Sequence, residues 1–111
     1  MPFPMELCDR MVTVYCPRKG KLQRLVTRGF YHYKDVQRED RFCREFLLVL
    51  PEEVSLLPGD RIFDGTGPLA VDWQAFVPAT VAQLYEISYV KPCRWEGEIT
   101  HWEAGNRKET L

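Results

Sequence analysis

Phe46-Leu-Leu-Val-Leu50 is a run of five consecutive apolar residues, and Pro51 closes it. A run of this length that stops at a proline is typical of a buried strand, because helices usually extend over about ten residues or more. A strand that is apolar at every position has both of its faces covered by other parts of the chain. The run therefore predicts a strand at the centre of the core.

Five other segments have the composition or the alternation of strands, and turn residues separate most of them. The segments are residues 11–16, 22–33, 61–63, 84–90 and 98–102. The longest of them is predicted to bend at Gly29. With residues 46–50 they make about six short strands, and only residues 77–85 and a fragment around residue 54 could add a helical turn. The predicted fold class is all-β, a small β-barrel or sandwich with little helix.

The length and composition fit one folded domain that spans residues 1–111. The chain is 45% apolar and 28% charged, close to the average soluble protein. No segment has the roughly 18 consecutive apolar residues of a membrane helix, and the first residues lack the pattern of a signal peptide. We expect no membrane contact and a protein that stays in the cytoplasm where it is made. Residues 1–10 are predicted to be an N-terminal arm, and residues 104–111 a frayed tail.

The charges are distributed unevenly along the chain, although the net charge is only −1. Residues 18–44 contain nine Lys or Arg and three Asp or Glu, and the acidic residues are concentrated from Glu52 onward. This surface is interpreted as a solvated face, as a contact with nucleic acid, or as a head-to-tail contact between copies in which a basic side meets an acidic one. Residues 34–44 are nearly all charged or polar, which predicts an exposed loop or the fraying tips of two strands.

No catalytic or metal-binding motif is visible in the sequence. The four cysteines are Cys8, Cys16, Cys43 and Cys93. They form no C-x-x-C pair, so they are predicted to be reduced thiols rather than a redox motif or a zinc knuckle. His32 and His101 each lie in an aromatic, strand-like context without an evident catalytic partner, and Asp60 and Asp64 lie in ordinary turn sequences. The sequence therefore predicts no catalytic residue, no metal site and no cofactor.

The order of the strand-like segments is similar to the order found in one protein family. The matching features are Met11-Val-Thr-Val-Tyr-Cys16, Gly29-Phe-Tyr-His-Tyr33, the charged stretch after it, Phe46-Leu-Leu-Val-Leu-Pro51 and Leu57-Pro-Gly-Asp-Arg-Ile-Phe-Asp-Gly65. From about residue 11 to residue 105, this order resembles the small neck proteins of long-tailed phages, the head-closure or stopper proteins of the head-tail connector. The closing Gly97-Glu-Ile-Thr-His-Trp-Glu-Ala-Gly105 is also similar to the end of many prophage minor structural proteins.

The resemblance implies a small β-barrel whose copies form a homo-oligomeric ring around the DNA channel. It also implies a long loop that reaches into the channel and holds the packaged genome. By position, residues 34–44 match that loop, so Lys34, Arg38, Arg41 and Arg44 become the candidate channel or partner contacts. The implied partners are other neck, portal and tail proteins, with non-specific contact to packaged DNA. The implied location is the virion, assembled in the host cytoplasm, and the implied role is structural rather than enzymatic.

Two other functions stay open on the sequence alone. A tail-completion or other minor capsid protein would share the ring and lack the plug. From a different class, the turn Pro58-Gly-Asp60 before a short strand is similar to turns in small barrels that bind RNA or nucleotides. In that case exposed Tyr31, Tyr33 and Trp73 would be the stacking platforms for bases.

Overall fold

The computed structural model describes residues 4–69 and 71–106, and for Met5, Arg38, Arg41 and Phe42 it describes the backbone alone. Within that part of the chain, one short 3-10 helix precedes seven strands. The helix is Met5–Leu7, and the strands are β1 (Arg10–Arg18), β2 (Lys21–Arg38), β3 (Arg41–Pro51), β4 (Arg61–Asp64), β5 (Leu84–Glu86), β6 (Tyr89–Trp95) and β7 (Glu98–Gly105). All seven belong to one antiparallel sheet in the order β5-β4-β1-β2-β3-β7-β6. The all-β prediction is confirmed.

The long strand β2 joins the two halves of the sheet. Its first half, Lys21 to Gly29, pairs with β1, and its second half, Phe30 to Arg38, pairs with β3. The change of partner comes at Gly29, where a Cβ atom would lie 2.7 Å from Leu50 Cδ2. Only a glycine allows the two strands to approach so closely. The sheet curls across this strand into a half-barrel.

Two residues carry the chain from one edge of the sheet to the other. β5 and β6 are the first and last strands in the order, yet only Ile87 and Ser88 separate them in sequence. Ile87 N donates to Asp60 O at 2.8 Å, and Ser88 N donates to Gly105 O at 2.7 Å. The crossing segment is thus hydrogen-bonded to the residue before β4 and to the end of β7. A similar arrangement occurs at the corner of a β-sandwich, where a strand changes sheets. The two edges of the half-barrel meet at this corner.

The core lies on the concave side of the curled sheet. Its fully buried members include Leu48 and Leu50, each 0% exposed. Burying one such side chain contributes about 1.5–3 kcal/mol. This confirms that residues 46–50 belong to the centre of the core. A second, smaller cluster of Tyr15, Phe76 and Leu84 fills the space beneath the long connection between β4 and β5.

One buried ion pair fixes the turn before β4. Asp60 is 1% exposed and accepts two hydrogen bonds from Arg18, at 2.8 and 2.7 Å, and a third from Leu57 N at 2.9 Å. Asp64 makes a similar two-bond pair with Arg10 at a more exposed place. Both aspartates are therefore used structurally, in agreement with their assignment to turns.

Several predicted boundaries differ from the structure. The described residues form seven strands rather than about six, because the predicted strand 84–90 is two strands that meet at the crossing segment. The predicted frayed tail begins too early, since Ala104 and Gly105 belong to β7 and Ala104 is 0% exposed. Asn106 is also held, because its Oδ1 accepts a hydrogen bond from Phe46 N at 3.1 Å, and residues 107–111 lie outside the described residues.

The N-terminal arm packs on the sheet rather than standing away from it. Residues 1–3 lie outside the described part, but Cys8 is buried, with its Sγ 3.9 Å from Val49 O. Arg10 already belongs to β1. No helix among the described residues is long and apolar enough to span a membrane.

Candidate functional site

A two-stranded ribbon projects from the sheet at residues 34–44. β2 pairs with β1 only as far as Gly29, and β3 pairs with β7 only from Leu47 onward. Between these limits the two strands pair with each other, from Lys34↔Glu45 to Arg38↔Arg41, and no third strand of the described chain flanks them. The predicted exposed loop is wrong in this respect, because the segment is a paired hairpin whose tip is only two residues long. The alternative prediction, the fraying tips of two strands, is correct in the strands but not in the fraying, because the pairing continues to Arg38↔Arg41.

The turn at the tip of the ribbon has an unusual backbone. Glu39 and Asp40 have φ angles of 47° and 68°, both in the left-handed region. Two-residue hairpin turns need this conformation, but Asn and Gly usually occupy them because side chains with a Cβ are strained there. Left-handed residues other than glycine are found where surrounding structure holds them and are frequent in functional segments.

The four candidate contacts on the ribbon differ in availability. Arg44 is used within the chain, because its guanidinium donates to Asp35 at 2.9 Å and lies 3.8 Å from the centre of the Tyr33 ring. The bond to Asp35 raises the pKa of Arg44 further above its ordinary value. Its side chain is 20% exposed, so Arg44 braces the ribbon rather than reaching outward.

Of the other three candidates, Lys34 lies at the base of the ribbon, and Arg38 and Arg41 lie at its tip. The Lys34 side chain is 63% exposed, and its Nζ is 3.9 Å from Glu45 Oε2, a weak surface pair. Arg38 and Arg41 are register partners beside the tip turn. Three cationic residues are thus placed on the projecting part of the molecule.

An acidic groove lies at the turn between β6 and β7. It has a volume of about 390 Å³, and three of its lining residues are glutamates: Glu52, Glu96 and Glu98. Trp95 forms an apolar wall and is 47% exposed. Such a groove combines an exposed aromatic anchor with an acidic rim, which are features of protein-binding surfaces.

The ribbon and the acidic groove are at opposite ends of the molecule. Pro51, at the end of β3, is the register partner of His101 near the groove, whereas Arg41 begins β3 at the tip of the ribbon. The ten residues between them span roughly 33 Å at about 3.3 Å per residue. This agrees with a longest molecular dimension of 42 Å. The groove end carries three glutamates, whereas the ribbon carries charges of both signs, with Asp35, Glu39 and Asp40 beside its Lys and Arg residues.

The aromatic residues that the nucleic-acid alternative requires are not open platforms. Tyr31 is 8% exposed, and burial raises the pKa of its hydroxyl to about 12. The Tyr33 ring lies under Arg44, and the Trp73 ring lies under the Arg61 guanidinium at 3.7 Å. Tyr31 is therefore not available for stacking, whereas Tyr33 is 37% exposed and has one face covered by Arg44.

A cluster of possible metal ligands was missed in the sequence. The ligand atoms of Cys93, His101 and Glu103 lie within 4.8 Å of one another. Cys93 Sγ is 3.5 Å from Glu103 Oε2, and the pKa of the thiol is raised by burial and by this carboxylate. The prediction of no metal site rested on the lack of a short ligand pair, but here the pair is made across two strands. A cysteine and a histidine on either side of a hairpin turn were the available signal.

No protein-family model, curated protein or solved structure matches this chain.

Proposed function

We propose that the protein is a structural component of the head-tail junction of a phage or prophage, a head-closure protein that assembles into a ring. A ring component must bind its neighbours by two different surfaces, because a head-to-tail contact repeated around an axis is heterologous. The observation that carries the proposal is the placement of a projecting ribbon, with Arg38 and Arg41 beside its tip, and of an acidic groove at opposite ends of one small β domain.

The ribbon supports the proposal through its position in the chain. It follows the aromatic half of β2 and precedes the apolar half of β3, where the resemblance to head-closure proteins puts the loop that enters the DNA channel. Exposed Lys34, at the base of the ribbon, would contact the DNA, and Arg38 and Arg41 at its tip would contact the next copy. Arg44 would act indirectly, by joining the two arms of the ribbon through Asp35 and by lying over Tyr33.

The contact between copies follows from charge and shape. The tip of the ribbon of one copy, with Arg38 and Arg41, would enter the acidic groove of the next, where Glu96 and Glu98 flank the exposed Trp95. The opposite charges of these arginines and glutamates would set the direction of assembly. The proposed partners are therefore further copies of the chain first, and then the other neck, portal or tail proteins above and below the ring.

The test is the solution mass of the purified protein, measured by light scattering after size exclusion over a concentration series at low and moderate salt. We expect a ring-sized species that dissociates as salt rises, because salt screens exposed charges. Reversing both tip charges, with Arg38→Glu and Arg41→Glu, should weaken each contact by about 2 kcal/mol, from two lost pairs and two new repulsions. This corresponds to a roughly thirtyfold higher dissociation constant.

A charge-swapped pair of variants tests the direction of the contact. The groove variant Glu96→Arg/Glu98→Arg should be as defective as the tip variant, and mixing the two should restore part of the assembly. The control is Lys19→Glu/Lys21→Glu, which makes the same change of charge at the exposed turn between β1 and β2. A strictly monomeric wild-type protein in low salt, or a control as defective as the tip variant, would contradict the proposal.

A further inference from the structure

The cluster of Cys93, His101 and Glu103 occupies the convex face of the last hairpin. Val90, Trp102 and Ala104 point from the same two strands into the core. Because side chains alternate along a strand, the three cluster residues point to the opposite face. His101 is 8% exposed, and Cys93 and Glu103 are half-buried. The site is therefore partly shielded by protein and open to solvent on one side.

A β-bulge brings the cysteine and the histidine together. β6 and β7 pair as Trp95↔Glu98 and Arg94↔Ile99, but the next pair is Cys93↔His101, which leaves Thr100 as an extra residue. Without the bulge, Cys93 would face Thr100, and His101 would lie on the other face of the sheet. The irregular register thus has a specific result, which is a cross-strand Cys-His pair on one face.

The extra residue also orients the histidine. The Thr100 hydroxyl lies 3.2 Å from the Cys93 carbonyl oxygen, which can only accept, and 3.0 Å from His101 Nδ1. The hydroxyl thus contacts both the backbone of the cysteine and the ring of the histidine, and it fixes the orientation of the imidazole beside Cys93. Metal-binding histidines are commonly oriented by such a hydrogen bond to one ring nitrogen.

The distances suit a small tetrahedral ion. Around Zn²⁺, bonds of about 2.3 Å to sulfur and about 2.1 Å to oxygen separate these two ligands by about 3.6 Å. Cys93 Sγ and Glu103 Oε2 are already 3.5 Å apart. The whole set lies within 4.8 Å, so binding requires side-chain movements of about 1 Å. Lys91, the register partner of Glu103, is exposed and can turn its ammonium group to solvent.

We propose that Cys93 Sγ, the imidazole of His101 and the carboxylate of Glu103 form a Zn²⁺ site that ties the edge strand β6 to β7, with a water molecule as the fourth ligand. Thiolate, imidazole and carboxylate are the three ligand types that Zn²⁺ takes in proteins. Thr100 is a positioning residue that acts through the histidine. This inference is independent of the ring, because it concerns one hairpin of a single copy.

The test uses Co²⁺ as a spectroscopic probe and Zn²⁺ as its competitor. The metal-free protein titrated with Co²⁺ should develop the visible bands of a tetrahedral ion and a near-ultraviolet charge-transfer band from thiolate to cobalt. One equivalent of Zn²⁺ should remove both. Zn²⁺ should also raise the thermal midpoint, since it binds the folded state alone. A titration without the charge-transfer band would overturn the proposal.

Variants assign the ligands. Cys93→Ser should abolish the charge-transfer band, and Glu103→Gln should weaken Co²⁺ binding by at least about tenfold. Thr100→Val should weaken it by about 10–100-fold while keeping the band, as expected for a residue that orients a ligand. The control is Cys43→Ser, which removes a half-buried thiol from the ribbon and should leave the spectrum unchanged. If the band is lost in Cys43→Ser, or is retained in Cys93→Ser, the site is elsewhere and the assignment is wrong.

Discussion

The two aspartate-arginine pairs of this fold allow a matched test of how burial affects an ion pair. Asp60 with Arg18 and Asp64 with Arg10 have the same chemistry, each with two hydrogen bonds of 2.7–2.9 Å. The Asp60 side chain is 2% exposed and its arginine 25%, whereas the values for the other pair are 11% and 43%. We predict that Asp60→Ala is much more destabilising than Asp64→Ala.

The magnitudes follow from the surroundings of each pair. Removing one partner of a buried pair costs about 3–5 kcal/mol, because the other charge stays buried without compensation. Arg18 can regain some water, but Asp60→Ala also leaves Leu57 N without its acceptor. These two effects oppose each other, so we expect about 3–4 kcal/mol. Asp64→Ala should cost about 1 kcal/mol, the upper range for a pair near the surface.

The assay is urea unfolding of both variants and the wild type, followed by tryptophan fluorescence and circular dichroism. An unchanged slope with a lower midpoint would show that the loss is one of native-state stability. At roughly 4 °C per kcal/mol, the thermal midpoint should fall by about 12–16 °C in Asp60→Ala and by about 4 °C in Asp64→Ala. Equal losses of unfolding free energy in the two variants would refute the prediction that burial determines how much the removal of each carboxylate destabilises the protein.

Three further outcomes follow from the structure. Gly67→Ala should destabilise the protein by about 2 kcal/mol in the same urea assay, because the new Cβ would collide with a buried tyrosine hydroxyl. The hydrogen bond from Arg44 lowers the pKa of Asp35 below its usual value near 3.8. The stabilisation by Asp35 is therefore present above its usual pKa and is lost as pH falls through the lowered pKa. The unfolding free energies of the wild type and of Asp35→Asn should converge in acid. Burial raises the pKa of Cys16 to about 12, so mass spectrometry after brief iodoacetamide treatment at mildly alkaline pH should find Cys43 modified and Cys16 intact.

The sequence predicted those elements whose evidence is local. Residues 46–50 were recognisable because an apolar run before a proline has few alternatives to a buried strand, and Leu48 and Leu50 are indeed fully buried. The close approach at Gly29 is also indicated locally, since a glycine within a strand marks a close approach of backbones. The division of residues 84–90 into two strands was not predictable. Ile87 and Ser88 follow the alternation of a strand, but their backbone N–H groups donate to Asp60 and Gly105, which lie at opposite ends of the sheet.

The candidate sites depended on register, which the sequence did not reveal. Polarity made residues 34–44 resemble a loop, but a two-residue turn at Glu39 and Asp40 keeps both arms paired to their ends. Cys93 and His101 are on one face only because a bulge at Thr100 shifts the alternation by one residue. A regular hairpin predicted from the same sequence would have put them on opposite faces.

The crossing segment also has a mechanical consequence. Glu86 ends the strand at one edge of the sheet and Tyr89 begins the strand at the other, so three residue steps, at most about 11 Å, tether the two edges. The half-barrel cannot flatten or widen at this corner unless β5 or β6 first leaves its neighbour. Any bending of the described sheet must therefore occur away from this corner. Among the described strands, the two-stranded ribbon pairs with the rest of the sheet only at its base. The ribbon is therefore the part of the sheet that bends most easily.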